Sequence, residues 1–210
     1  DAVLRPYRDG QATPSARDVA HIAALYQGEL SELDGHLAPV LQAAGPDAIV
    51  LVTSDHGESF SHGYWFNHRA GLWDEITRVP LLVRGPGVPA GAVVEGQVGL
   101  IDVAPTLLSL AGLPRDRRMA GRDLSPMFAG SGTPRAVVHS TTDPAFPDPQ
   151  LAVRTGARKT ILRGDGALVY DLGVDPAEAN ALPTAGVDEA ALRAAYAASL
   201  TPFDAARVAA

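Results

Sequence analysis

Between Asp18 and Gly45 the apolar positions Ile22, Leu25, Leu30, Leu33, Leu37, Val40 and Leu41 recur with helical spacing among polar residues. The spacing predicts a long amphipathic helix, N-capped by Asp18, stopped at Gly45 and Pro46, and lying on a sheet through its apolar face. The pattern then changes. Residues 48–52 read AIVLV, an unbroken aliphatic run of the kind buried on both faces, which predicts a central, parallel strand. Thr53 and Ser54 close it, so Asp55 and His56 stand at its carboxyl end, where open α/β sheets bind their ligands. After an irregular stretch to Thr77, VPLLV at 79–83 predicts a second strand, ended by RGPGVPAG, with Pro80 at the strand's start or on an edge. GLIDVAPTLLSLAG at 99–112 predicts a short strand end, Asp102 as N-cap, and a helix carrying Leu107, Leu108 and Leu110 up to Gly112.

Beyond about residue 131 the apolar pieces shorten to RAVVH, LAVRTG and KTILRGDGALVYDL, and the last predicts a hairpin of KTIL with ALVYDL. A final amphipathic helix, capped by Asp188 and carrying Leu192, Tyr196 and Leu200, is expected to cover that sheet. Residues 1–17, rich in Pro, Gly and Arg, read as an irregular lead-in. The expected organisation is an α/β part over residues 1–130 and a small α+β part over 131–210.

Composition narrows the function classes. With 210 residues, 46% hydrophobic and 20% charged, the chain has the material for a substantial core. A net charge of -7 with scattered Lys and Arg excludes a surface built to track nucleic acid. The absence of Cys excludes disulfides, thiolate metal sites and a Cys nucleophile within these residues. No apolar stretch approaches membrane-spanning length. The start DAVLRPYRDG, with neither an initiator Met nor an apolar signal segment, leads us to expect further sequence upstream.

Candidate chemistry gathers in TSDHGESFSHGYWFNH at 53–68, where Asp55, His56, His62 and His68 fall within fourteen residues of a chain holding six His. An adjacent carboxylate and imidazole make half of a divalent-metal shell, and Gly57 lets the backbone turn so that both aim at one point. Glu58, Asp74 and Glu75 are acidic neighbours, but no second pair of carboxylates stands at another strand end to complete it. Each has a plainer reading. Asp55 and His56 also suit a capped turn, His62 a solvated loop, Trp65, Phe66 and Trp73 the core or a rim, and Asn67 and Arg69 either substrate contact or solvent. Arg78 and Asp102 read as structural, DEITR as a solvated face and DPAEAN as a turn.

The segments IVLVTSDHGE, HGYWFNHRAGLWDE, RVPLLVRGPG, GLIDVAPTLLSLAGLP with GRDLSPMF, and LVYDLGVDPAEANAL occur in this order in a sequence that resembles the sulfatase family of the alkaline-phosphatase superfamily. The resemblance covers about residues 20–182. It implies part of an alkaline-phosphatase-like sandwich, a mostly parallel sheet covered by helices, followed by a small antiparallel sheet with a C-terminal helix. It also implies that Asp55 and His56 are the second pair of metal ligands, for Ca above all, with Mn, Mg or Zn as alternatives. By the same likeness His68 binds the anion or protonates the leaving alkoxide, and His62 is the weaker candidate for those surroundings.

Family members also carry two Asp at the end of a first strand and a CxPSR-type motif whose Cys or Ser becomes formylglycine. Neither is here, and ATPSAR at 12–17 has the wrong residue at the nucleophile position and its Arg one place too late. The resemblance therefore implies the C-terminal part of a sulfatase, inactive alone, with the formylglycine upstream and a small-molecule or glycan sulfate ester as substrate. A phosphate or phosphonate ester hydrolase or transferase of the same superfamily, and a non-catalytic sulfatase-like module, are the alternatives.

Overall fold

The computed structural model describes residues 3–68, 71–135, 137–141, 149–164 and 166–208. It divides into two compact units, Asp1–Gly85 and Pro86–Ala210.

In the first unit a helical turn, α1 (Arg5–Arg8), with Pro6 as its second residue, stands within the expected irregular lead-in. The long helix α2 spans Ala16–Ala44 and starts earlier than its apolar pattern. Its N-cap is Ser15, whose hydroxyl accepts from the Asp18 N–H while the Asp18 carboxylate accepts from the Ser15 N–H. Asp18 is thus the third helical residue of a capping box and not the cap, because Ser-x-x-Asp satisfies two orphan N–H groups where Asp18 alone would satisfy one. The same arrangement accounts for the Ser of ATPSAR, which opens a helix. Gly45 ends it with φ +77°.

Strand β1 (Val50–Thr53) pairs with β2 (Leu81–Arg84). The pairing is antiparallel, Val50 facing Arg84 and Thr53 facing Leu81, which corrects the expected parallel strand for the pairing within this chain. The physical reason lies in the connection: among its described residues the helix is a single turn at Asp74–Thr77, too short to carry the chain back to the start of the sheet, so the second strand runs back along the first. Pro80 sits immediately before β2, where it takes no N–H from the ladder, and its carbonyl accepts from Thr53 Oγ1 at 2.7 Å. Arg84 Nη2 donates to the Leu41 carbonyl at 2.7 Å and ties the end of α2 to β2.

No residue of α2 is buried, however, and Leu25, Leu30, Leu33 and Val40 are exposed. Among the described residues the large buried apolar side chains of this unit lie in the loop between the strands: Phe66, Leu72 and Trp73, with Ile76 of the short helix α3 (Asp74–Thr77).

In the second unit a 3-10 turn, Leu100–Asp102, stands where a strand end was expected, followed by α4 (Val103–Leu110) and α5 (Ser125–Phe128). Asp102 is fully buried and does not cap α4 through its side chain. It accepts from the N–H groups of Gly99 and Arg122 and from the Arg135 guanidinium, with Nε at 2.8 Å. Burial raises its pKa, but Arg135 and the two N–H groups outweigh that and hold it below the ordinary value.

The strands β3 (Val137–Thr141), β4 (Leu151–Thr155), β5 (Arg158–Arg163) and β6 (Gly166–Asp171) form an antiparallel meander in that order. The predicted hairpin is its last pair, closed at Arg163 opposite Gly166; its loop residue Asp165 lies outside the described residues. The final helix α6 (Glu189–Val208) is capped by Asp188, which accepts from the Ala191 N–H at 2.9 Å. Its Leu192 and Tyr196 pack on Leu151, Val153 and Leu162. The side chain of Leu200 lies outside the described residues. Lys159 and Glu178, both nearly fully buried, pair at 2.9 Å. Glu178 therefore anchors the segment after β6, and DPAEAN is more than a surface turn. No helix among the described residues is long and apolar enough to cross a membrane.

Candidate functional site

The site is built where β1 ends. Ser54 Oγ donates to the His56 carbonyl at 2.6 Å, and the His56 N–H donates to Asp55 Oδ1 at 3.0 Å, which fixes the turn that carries both side chains. His56 Nδ1 lies 2.8 Å from the Gly57 carbonyl. A carbonyl only accepts, so Nδ1 carries the proton and the lone pair is on Nε2. That nitrogen stands 3.7 Å from Asp55 Oδ1, on an exposed edge. An imidazole whose rear nitrogen is bonded to a backbone carbonyl is one of the arrangements common to metal-ligating His.

Gly57 is needed for space as well as for the turn. A β-carbon there would lie 2.0 Å from the Glu75 carbonyl oxygen. The Gly57 N–H also donates to the Ile76 carbonyl at 2.7 Å, so α3 is pressed against the motif.

The loop from Ser59 to Asn67 is pinched shut by two backbone bonds, Ser59 N–H to the Asn67 carbonyl at 3.1 Å and Phe66 N–H to the Ser59 carbonyl at 2.8 Å. Its interior is organised by Glu75, which accepts from Ser59 Oγ at 2.6 Å, Ser61 Oγ at 3.0 Å and the Phe60 N–H at 3.1 Å, and meets His62 Nδ1 at 3.1 Å. Burial works to raise the Glu75 pKa, but the bonds from His62, Ser59, Phe60 and Ser61 prevail and hold it below the ordinary carboxylate range. Glu75 is therefore an internal anchor and not part of a solvated acidic face.

His62 shares that interior. Its side chain is 13% exposed and its ring stacks on Trp73 with centroids 4.5 Å apart, so it is not a solvated loop residue. Phe66 and Trp73 are core, as expected.

His68 is brought to His56. The two imidazoles stack with centroids 3.9 Å apart and planes 16° from parallel. His68 Nδ1 lies 3.3 Å from Glu58 Oε2. The structure thus gathers Asp55, His56 and His68, with Glu58 behind, and engages His62 with Glu75 and Trp73. Arg69 lies outside the described residues.

Among the described residues no three His, Asp or Glu side chains are arranged to hold a metal ion. Asp55 and His56 fit one half of a divalent shell, a carboxylate oxygen beside a bare imidazole nitrogen, and the remaining ligands of any such ion must come from elsewhere. Sequence reasoning noted Glu58 and Glu75 only as spare acids. Their partners lie ten and thirteen to sixteen residues away in sequence, and the loop closure that joins them has no periodic signal.

Comparison with known proteins bears on this arrangement. The sulfatase family model matches residues 3–113, and the model described as N-sulphoglucosamine sulphohydrolase, C-terminal, matches residues 61–191. Arylsulfatase K of Rattus norvegicus is 30% identical over 193 residues, covering 80% of this chain and 33% of that protein. The chain covers between 22% and 34% of the length of the curated relatives it matches. Among solved structures, a 2-O GAG sulfatase superposes with a TM-score of 0.73 at 24% identity, over 92% of this chain and 44% of the other. A phosphonate monoester hydrolase from Silicibacter pomeroyi superposes with a TM-score of 0.70 at 22% identity, over 94% and 42%. These likenesses establish the alkaline-phosphatase-like fold, and because each of the two family models matches more than half of its residues, the chain belongs to the sulfatase family.

Proposed function

We propose that this chain supplies one wall of the active site of a sulfatase that hydrolyses sulfate esters, with a sulfated glycan or small molecule as substrate. The observation that carries the reading is the cluster at the end of β1: Asp55, His56 with its lone pair on Nε2, and His68 stacked on His56. Asp55 and His56 would hold part of a divalent ion, Ca in the first place, with Mn, Mg or Zn as alternatives. Such an ion supplies charge neutralisation at the nonbridging oxygens of the ester. His68 would contact the anion or hand a proton to the departing alkoxide. His62 serves those surroundings from behind, through the loop it shares with Glu75. A formylglycine nucleophile would come from residues outside this chain, and the 210 residues alone would not turn over.

The test uses the full-length protein. His68→Ala should slow sulfate esters with poor leaving groups by about 10²- to 10⁴-fold while sparing activated aryl sulfates. Asp55→Ala and His56→Ala should abolish both activities and weaken metal retention, measured by elemental analysis after dialysis. Phosphonate monoesters hydrolysed faster than any sulfate ester would replace this reading with the phosphorus-ester alternative. An ordinary enzymatic rate from the 210 residues alone would overturn the missing-nucleophile account.

A further inference from the structure

We propose that Glu58 is a positioning residue for His68: it keeps a proton on Nδ1 and leaves Nε2 as the nitrogen that meets the ester. The role assigned to Nε2 rests on the sulfatase reading; the arrangement itself does not. An ionised carboxylate accepts and cannot donate, so the 3.3 Å contact between His68 Nδ1 and Glu58 Oε2 requires the hydrogen on Nδ1. A neutral imidazole in water exchanges between its two tautomers, and this bond selects one.

The placement of Glu58 is costly for folding. Its side chain is 23% exposed, and Oε1 is buried with no hydrogen-bond partner among the described residues. A carboxylate that gives up hydration at one oxygen and recovers a single bond at the other is not what stability alone would select. That one bond goes to His68.

Two restraints then act on one ring. The face of His56, 3.9 Å away, limits tilting, and Glu58 limits rotation about the bond to the ring. The edge carrying Nε2 is left for the substrate. For the leaving-group step Nε2 first takes a proton from water, giving the imidazolium; that N–H bond then breaks as an O–H bond forms on the alkoxide oxygen. One positive and one negative charge disappear together, and the neutral ring that remains keeps its Nδ1 hydrogen on Glu58.

The experiment is a long-range proton–nitrogen correlation spectrum of the full-length protein, labelled with ¹⁵N-histidine. It is recorded well above the ordinary imidazole pKa of about 6.5. His68 is assigned by its loss in His68→Asn. The expected pattern is a protonated Nδ1 and a bare Nε2 for His68. Glu58→Leu should convert it to the averaged or Nε2–H pattern, while His56, held by the Gly57 carbonyl, keeps its Nδ1–H signature. An averaged or Nε2–H pattern for His68 in the unsubstituted chain overturns the proposal, as does an unchanged pattern in folded Glu58→Leu. Should that variant fail to fold, the unsubstituted spectrum decides alone. Failure of ester hydrolysis in the full-length protein would leave this spectrum untouched, so the two readings fail separately.

Discussion

At Gly57 the motif and α3 approach so closely that a single methyl group has no place: its carbon would lie 2.0 Å from the Glu75 carbonyl oxygen and 3.0 Å from the carbonyl carbon. Both obstacles are backbone, so relief means moving α3 and stretching the bond from the Gly57 N–H to Ile76. We expect Gly57→Ala to cost about 1–3 kcal/mol in chemical denaturation. A denaturation midpoint equal to that of the unsubstituted chain would show that the contact is slack. The sequence pointed to Asp55 and His56 because adjacency and a strand end are local properties, and to His68 through the resemblance to the family. It assigned Gly57 a turning role and missed the close approach, because Glu75 is eighteen residues away and nothing in DEITR marks a half-buried anchor. His62 illustrates the same limit: stacking on Trp73 is a tertiary contact, and a His between Ser and Gly carries no sign of it.

Elements were legible in proportion to how far local chemistry fixes them. The helix α2, the four-stranded meander and α6 follow from periodicity, whereas the start of α2 turned on a capping box and the direction of β1 on its partner. The 3-10 turn at Leu100–Asp102 replaced an expected strand end because Asp102 ties back to the Gly99 N–H and tightens the chain. The least settled element is α2 itself, whose Leu25, Leu30, Leu33 and Val40 remain in water. Each large aliphatic side chain so exposed forgoes roughly 1.5–3 kcal/mol of burial, and contiguous patches of this kind drive association. We expect the 210-residue chain to self-associate at micromolar concentration, and Leu30→Glu with Leu33→Glu to reduce it, as followed by light scattering during size exclusion. A monodisperse unsubstituted monomer would contradict this.

For the whole molecule, the fold class was recoverable because five ordered segments speak for one family, while the internal ties between distant segments were not. Two such ties, Glu75 in the first unit and Asp102 in the second, have carboxyl pKa values below their ordinary 4.5 and 3.8. A depressed carboxylate contributes stability that is complete above the ordinary value and is lost as pH falls through the lower folded value. Glu75→Gln and Asp102→Asn should therefore be destabilising near pH 7, with gaps from the unsubstituted chain that shrink below about pH 4. Urea unfolding across that range measures both, and a gap independent of pH would refute the assignment. A third tie, the buried pair of Lys159 and Glu178, has its consequence in descent. Loss of either partner strands a charge away from water, at a cost of about 3–5 kcal/mol, whereas joint replacement by apolar residues can be neutral. In related lineages these two positions should therefore change together or not at all, and an intermediate carrying one substitution should be the form that selection removes.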